Sequence, residues 1–304
     1  MVGTIVEYDK KEKILAVLKY FAIFRYPLKT EEIIGHCSVA CSQSEIGTLL
    51  EELLQQKSAF FCKGYYANSP NIADWVQERE QANSLAQEKI LSAARVARFI
   101  FAFPFVEFVG ISGSLSKGVA DSKSDFDFFI LTSPERLWIA RSILHAFKKL
   151  TFLVGAQHRL CMNYFMDVSH PELEEKNIFT AVELSSMLPV CGLKVYEQFM
   201  RKNEWIKSIL PNTYTPFIQT PVIKDKPVLF RLMELPFLPF AGWLNKKLMK
   251  LTDTKWRKKW ARKNYPPEDY ELAFRTTLYQ SKNHPANHQK RTLEILKTGR
   301  DHTI

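Results

Sequence analysis

The stretch Gly113-Ser114-Leu115-Ser116-Lys117-Gly118-Val119-Ala120-Asp121-Ser122-Lys123-Ser124-Asp125-Phe126-Asp127 decides the reading of this chain. It joins a small-residue turn to two acids set two positions apart. The apolar run Val106-Glu107-Phe108-Val109-Gly110-Ile111 before it predicts a short strand, and Phe126 to Leu131 predicts a second. Residues i and i+2 of a strand point to the same side, so Asp125 and Asp127 are expected on one face. Phe126 and Phe128 would fill the opposite, buried face. Two hard oxygen ligands side by side suit Mg²⁺, which is held by one or two carboxylates together with substrate phosphates. The Gly113-Ser114 turn would feed a short helix whose free N–H groups bind phosphate oxygens, with Ser116 and Lys117 close by. The plainer reading is a polar hairpin loop over 112–124. It leaves Asp127 inside an apolar strand, where a charge needs a partner or a metal.

At these residues the sequence resembles the polymerase-beta-like nucleotidyltransferase superfamily, whose signature is a Gly-Ser pair, about ten residues, then an acidic-apolar-acidic strand. Ten residues, Leu115 to Ser124, separate Ser114 from Asp125 here. The resemblance implies that Asp125 and Asp127 bind Mg²⁺ and that Gly113, Ser114, Ser116 and Lys117 hold the phosphates of a nucleoside triphosphate. It also implies transfer of a nucleoside monophosphate to a hydroxyl acceptor: a small molecule, an RNA or a protein. The superfamily adds a third carboxylate on a neighbouring strand, and this chain departs from that pattern. In the next strand candidate, ending Cys161-Met162-Asn163-Tyr164-Phe165-Met166-Asp167, Asn163 and Asp167 share strand parity but lie about 13 Å apart. Asn163 sits mid-strand with an amide that takes no proton; Asp167 has the right chemistry at the strand's end. The two stand as alternatives for lining the site.

The 304 residues, 46% of them hydrophobic, allow two or three domains with real cores. The net charge of +10 is uneven: residues 201–300 hold 21 Lys/Arg against 8 Asp/Glu. Such a field favours a polyanion (RNA, DNA, a nucleotide) or an anionic membrane surface; its plain alternative is a solvated helical face. No basic-then-apolar leader opens the sequence, and five scattered cysteines (37, 41, 62, 161, 191) read as reduced core residues. Both point to a cytoplasmic location. Cys37 and Cys41 lack the second pair that zinc would need.

The expected fold class is α+β: a small mixed-sheet nucleotidyltransferase core between an N-terminal winged-helix-like domain and a C-terminal, mostly helical region. The boundaries are 1–70 for the winged-helix-like domain, 71–104 for a connecting helix, 105–170 for the core and 171–304 for the basic helical region. Three helices and a hairpin around Lys63-Gly64 suggest the winged helix. DNA binding by it is not expected, because its third helix carries Glu45, Glu51 and Glu52 and no Lys or Arg from Ser42 to Gln56.

Residues 134–147 predict a helix with His145 on its packing side. Helices are expected over 177–188 and 194–210, each stopped by a proline, and a linker over 213–227. Residues 228–251 are apolar but interrupted by Pro236, Pro239, Arg231 and Glu234, which excludes a transmembrane span. Lysines then alternate with Trp243, Trp256 and Trp260, a pattern suited to a phosphate-bearing or stacked ligand, a membrane interface, or tryptophans buried by an amphipathic helix. Lys282 and His284 precede a short C-terminal helix and could reach a phosphate, but no site role is assigned to them. Two other functions compete with the transferase: a nucleotide-binding regulator with a lapsed site, and a nucleic-acid binder built on the winged helix.

Overall fold

The computed structural model describes residues 2–122, 124–151, 161–212, 226 and 228–298. Most of the 213–227 linker therefore lies outside the described residues.

The chain is an α+β protein built on a mixed five-stranded sheet. Helix α1 (Val2–Ala22), α2 (Thr30–His36) and α3 (Gln43–Gln55) form a helical unit closed by a hairpin of β1 (Phe60–Cys62) and β2 (Tyr65–Ala67). Ser42 caps α3, accepting from the Glu45 N–H while the Glu45 carboxylate accepts from the Ser42 N–H. This reciprocal pair satisfies two N–H groups that the first turn leaves free. Lys63 and Gly64 both take positive φ, which matches the twist of a two-residue hairpin.

Helix α4 (Ile72–Phe101) leads to β3 (Val106–Ser112), the short helix α5 (Gly113–Ser116) and β4 (Asp127–Thr132). Then follow α6 (Leu137–Thr151), β5 (Cys161–Asp167), α7 (Ile178–Ser185), β6 (Leu188–Cys191), α8 (Leu193–Lys202) and α9 (Ile206–Ile209). The last third holds α10 (Val228–Leu232), a 3-10 turn (Leu235–Phe240), α11 (Ala241–Ala261), α12 (Pro267–Ala273), β7 (Gln280–Lys282) and α13 (His288–Thr298).

The strand order is β6-β3-β4-β5-β7, with β4 and β5 parallel and the other pairs antiparallel. Both edge strands come from beyond residue 170, so the sheet draws on the region expected to be helical. Pro189 sits in β6 instead of merely ending a helix; it lacks an N–H, and an edge strand tolerates that loss. The helix expected over 194–210 is broken at Asn203. Its buried side-chain amide donates to the Pro171 and Phe199 carbonyls and accepts from the Leu173 N–H.

Two apolar layers cover the sheet. Ala93, Ala97 and Ile100 of α4 and Trp138 and Leu144 of α6 pack with Val109, Ile111, Phe128 and Ile130. On the other face, Phe108, Phe129, Leu131 and Met166 meet Ala181 and Leu184 of α7, Phe199 of α8 and the core of α1–α3. Asp127 has the parity of Phe129 and Leu131, so it opens β4 on the face shared with α7 and the N-terminal unit.

Candidate functional site

Asp127 pairs across the sheet with Ser112 on β3 and Cys161 on β5, which places it where the Gly-Ser turn leaves β3. Gly113 has φ +68, and a Cβ there would lie 2.6 Å from Asp127 Oδ2. Only glycine lets the turn close this tightly over the carboxylate. Asp125 precedes the strand instead of sharing its pleat, and it is exposed. It still acts on Asp127 by charge: the Asp127 carboxyl is pushed up to about 6, first by burial and then by the nearby Glu183 and Asp125, against lowering by Cys161 and Lys117. Phe126 and Phe128 are buried as the alternation requires.

Asn163 and Asp167 prove not to share a face. Between Asp127↔Cys161 and Phe129↔Tyr164 the register slips by one residue, which is a bulge in β5. A bulge bends its strand and re-aims a side chain. Asn163 thereby turns to the site and donates from Nδ2 to Asp127 Oδ1 at 3.3 Å and to Cys161 Sγ at 2.9 Å. Asp167 sits beside Thr132 at the far end of β4, five residues along and roughly 16 Å from Asp127. It is fully buried, and its oxygens accept from the N–H groups of Glu135 and Ser169 and from the Ser169 hydroxyl. Its work is to tie β5 to the start of α6, and the expectation that it lines the site is corrected.

The phosphate-binding candidates divide as well. Ser114 is exposed at the turn, whereas Ser116 is buried and its hydroxyl donates back to the Gly113 carbonyl at 2.8 Å. Lys117 is tied to Glu183 of α7 at 2.7 Å and to the Gly113 carbonyl at 3.2 Å. The Tyr26 hydroxyl donates to the Lys117 carbonyl at 2.7 Å, so the N-terminal unit buttresses the turn directly.

These residues open into a cavity of about 740 Å³. Tyr20, Phe21 and Phe24 of the N-terminal unit, Phe129 and Tyr164 of the sheet, and Phe179, Glu183 and Leu184 of α7 line it. Lys282, Asn283, His284 and His288 close it from the C-terminal side. Asn283 N–H donates to the Asn163 carbonyl at 2.9 Å, which carries β7 into the wall. Burial, with help from Lys282 and His288, pushes His284 down to about 4, so the imidazole there is neutral at pH 7. Lys282 is lowered by burial and held by Gln289 and Glu175.

Glu183, Lys282, His284 and His288 are thus site residues that spacing did not identify. Glu183 had a signal: it is the one charged residue in the apolar helix Ile178–Ser185. Lys282 and His284 stood out only as a basic pair able to reach a phosphate, because their approach to the cavity depends on β7 joining the sheet. Among the described residues, no group of three or more His, Cys, Asp or Glu side chains is placed to hold a metal. Asp127 and Glu183 line the cavity, and the exposed Asp125 is near enough to raise the Asp127 carboxyl; Asp125 and Asp127 are the pair that could hold Mg²⁺, which takes one or two carboxylates with phosphate oxygens completing its shell.

Comparison of the chain with protein-family models, curated proteins and solved structures gives no match.

Proposed function

We propose that the chain is a Mg²⁺-dependent nucleotidyltransferase that moves a nucleoside monophosphate from a nucleoside triphosphate to a hydroxyl acceptor. The observation that carries this reading is the closure of the Gly113-Ser114 turn on Asp127, with the missing Cβ of Gly113 2.6 Å from the carboxylate oxygen. A phosphate seated on the turn would meet the carboxylates of Asp127 and Asp125 at once. Ser112, Gly113 and Ser114 line the cavity on the phosphate side, and the aromatic wall of Tyr20, Phe21 and Tyr164 offers flat surface for a base.

When bound, Mg²⁺ neutralises charge on the phosphoryl oxygens and orients in-line attack. Asp125 and Asp127 would hold it, and Asn163 fixes Asp127 through its amide. Lys117 is in place to exchange Glu183 for a phosphate oxygen. The acceptor hydroxyl attacks the α-phosphorus and releases its proton to water, the bond to the bridging oxygen breaks, and pyrophosphate leaves. The N-terminal unit, with the helix order and hairpin of a winged helix, acts in this reading as a wall of the site. Of its α3 carboxylates, Glu45 pairs with Lys10 at 2.7 Å and Glu52 with Lys11, while Glu51 is exposed; the absence of Lys and Arg from Ser42 to Gln56 leaves that helix no cation for a DNA phosphate, which disfavours docking there.

A second reading, a nucleotide-binding regulator, is favoured by one observation: Asn163 stands beside Asp127 with an amide that takes no proton. The test uses the four labelled nucleoside triphosphates with and without Mg²⁺, first for binding and then for transfer of label to a small-molecule extract. Binding is expected to need Mg²⁺ and to disappear in Asp125→Ala/Asp127→Ala. Binding without any transfer would establish the regulator; absence of metal-dependent binding would remove both readings.

A further inference from the structure

Half of the large exposed apolar side chains among the described residues, six of twelve, lie in one short segment. Leu232, Met233, Leu235, Leu238, Phe240 and Trp243 are each between 48% and 68% exposed. They fall within twelve consecutive residues spanning α10, the 3-10 turn and the first turn of α11. Scattered surface leucines need no explanation, but a contiguous group of this kind marks an interaction site.

Their exposure is imposed by anchors. Phe237 points inward and meets the Phe105 ring edge-on at 6.0 Å. Glu234 accepts from the Phe105 N–H at 2.9 Å and from the buried Lys226 ammonium at 3.1 Å. With Phe237 and Glu234 fixed to the start of β3, the neighbouring side chains are held outward.

The basic row begins where the apolar group ends. At 100° per residue, Trp243, Lys246, Lys247 and Lys250 fall within an arc of roughly 100° on α11. Lys246, Lys247 and Lys250 are exposed, and none forms an ion pair with a described residue. Lys247 Nζ lies 4.5 Å from the centre of the Trp243 ring. The tryptophans of this helix divide: Trp260 stacks on Phe274 at 4.5 Å and Trp256 meets it edge-on, while Trp243 stays in solvent.

We infer that this face docks on an anionic phospholipid bilayer, with Leu235, Leu238, Phe240 and Trp243 entering the headgroup–acyl boundary and Lys246, Lys247 and Lys250 lying against lipid phosphates. Amphipathic segments with Trp, Phe and Leu beside lysines bind membranes peripherally in this manner. Unpaired lysines complement a negative surface, and the adjacent aliphatic side chains would gain nothing from RNA, whose contacts are phosphates and stacked bases. Described helices contain no membrane span, so the attachment is peripheral. The patch sits at the start of β3 and the Gly-Ser turn at its end, about 23 Å away.

The full chain is floated with vesicles of phosphatidylcholine alone and with vesicles in which roughly a third of the lipid is phosphatidylserine. Binding to the anionic vesicles is expected to be at least tenfold tighter and to weaken with salt. Each lysine at such a surface contributes about a fivefold gain, so Lys246→Glu/Lys247→Glu/Lys250→Glu should bind at least a hundredfold more weakly. Leu238→Ser/Phe240→Ser should lose flotation in high salt, and Trp243→Phe should remove a lipid-dependent blue shift in fluorescence. All these positions are solvent-exposed, so unchanged thermal melts separate lost docking from lost folding. Equal binding to neutral vesicles, no binding to either, tight salt-sensitive binding to single-stranded RNA in place of vesicles, or a dimer dispersed by Leu238→Ser would each overturn the inference.

Discussion

At the scale of single residues, Asp127 concentrates the electrostatic tension of the molecule. Its carboxyl is raised to about 6 from an ordinary 3.8, so the folded protein keeps a proton that the unfolded chain has released between those values. The contribution of Asp127 to stability is then greatest below about pH 4 and declines as pH rises toward 6, the sign expected when the native state binds more protons. In metal-free protein, Asp127→Asn should remove this decline and raise the unfolding free energy at pH 7 by about 1–2 kcal/mol, allowing for partial solvent screening. Urea titrations of both proteins at pH 4 and pH 7 check it; an equal pH dependence in the two would refute the burial of the charge. The importance of Asp127 was legible from sequence, since an acid within Phe126–Leu131 has no apolar excuse. Glu183 is a different case. It lies 56 residues downstream, and nothing in local spacing connects it to Lys117.

At the scale of elements, the turn Gly113–Ser116 and the bulge in β5 do the positioning. Gly113→Ala would force a side chain into a left-handed backbone at a cost of about 1–2 kcal/mol and push it against Asp127 Oδ2. The expected outcome is a thermal melt lowered by a few degrees together with loss of Mg²⁺-dependent nucleotide binding. Retention of full affinity by a folded variant would show that the turn need not close on the carboxylate. Strands β3, β4 and β5, the turn and the long helix α4 were legible as local pattern, whereas β6 and β7 were not. Nor was the bulge, because a slip of one residue comes from how β5 meets β4. Strand parity alone placed Asn163 and Asp167 together; the pairing separated them, and the three hydrogen bonds received by Asp167 consume its oxygens at the other end of the sheet.

At the scale of the molecule, the N-terminal unit is bound to the rest through a buried ion pair. Arg79 of α4 reaches Glu32 of α2 at 2.6 Å, donates to the Pro27 carbonyl, and lies 4.1 Å from the centre of the Tyr26 ring. Removing one partner of a buried pair leaves the other charge uncompensated. Arg79→Ala should therefore cost about 3 kcal/mol, seen as a lower midpoint in guanidinium. It should also weaken nucleotide binding, since Tyr26 carries the Lys117 carbonyl. A loss of stability with unchanged binding would show that the N-terminal unit is a separate wall and not a support of the turn.

The sequence by itself determined the local pieces: the acids and small residues of 113–127, the caps and periods of the helices, and the alternation that buries Phe126 and Phe128. Those depend on neighbours a few positions apart, where backbone geometry is repetitive. Only the tertiary structure decided that β6 and β7 complete the sheet, that Glu183 and His284 line one cavity with Asp127, and that Phe240 and Trp243 stay in water. Each of these is a choice among surfaces distant in the chain, made by the burial of whole layers and by anchors such as Phe237 on Phe105. Local pattern carries no record of such choices. The Gly-Ser turn and its acids are written in fifteen consecutive residues; the cavity they open into is drawn from both ends of the chain.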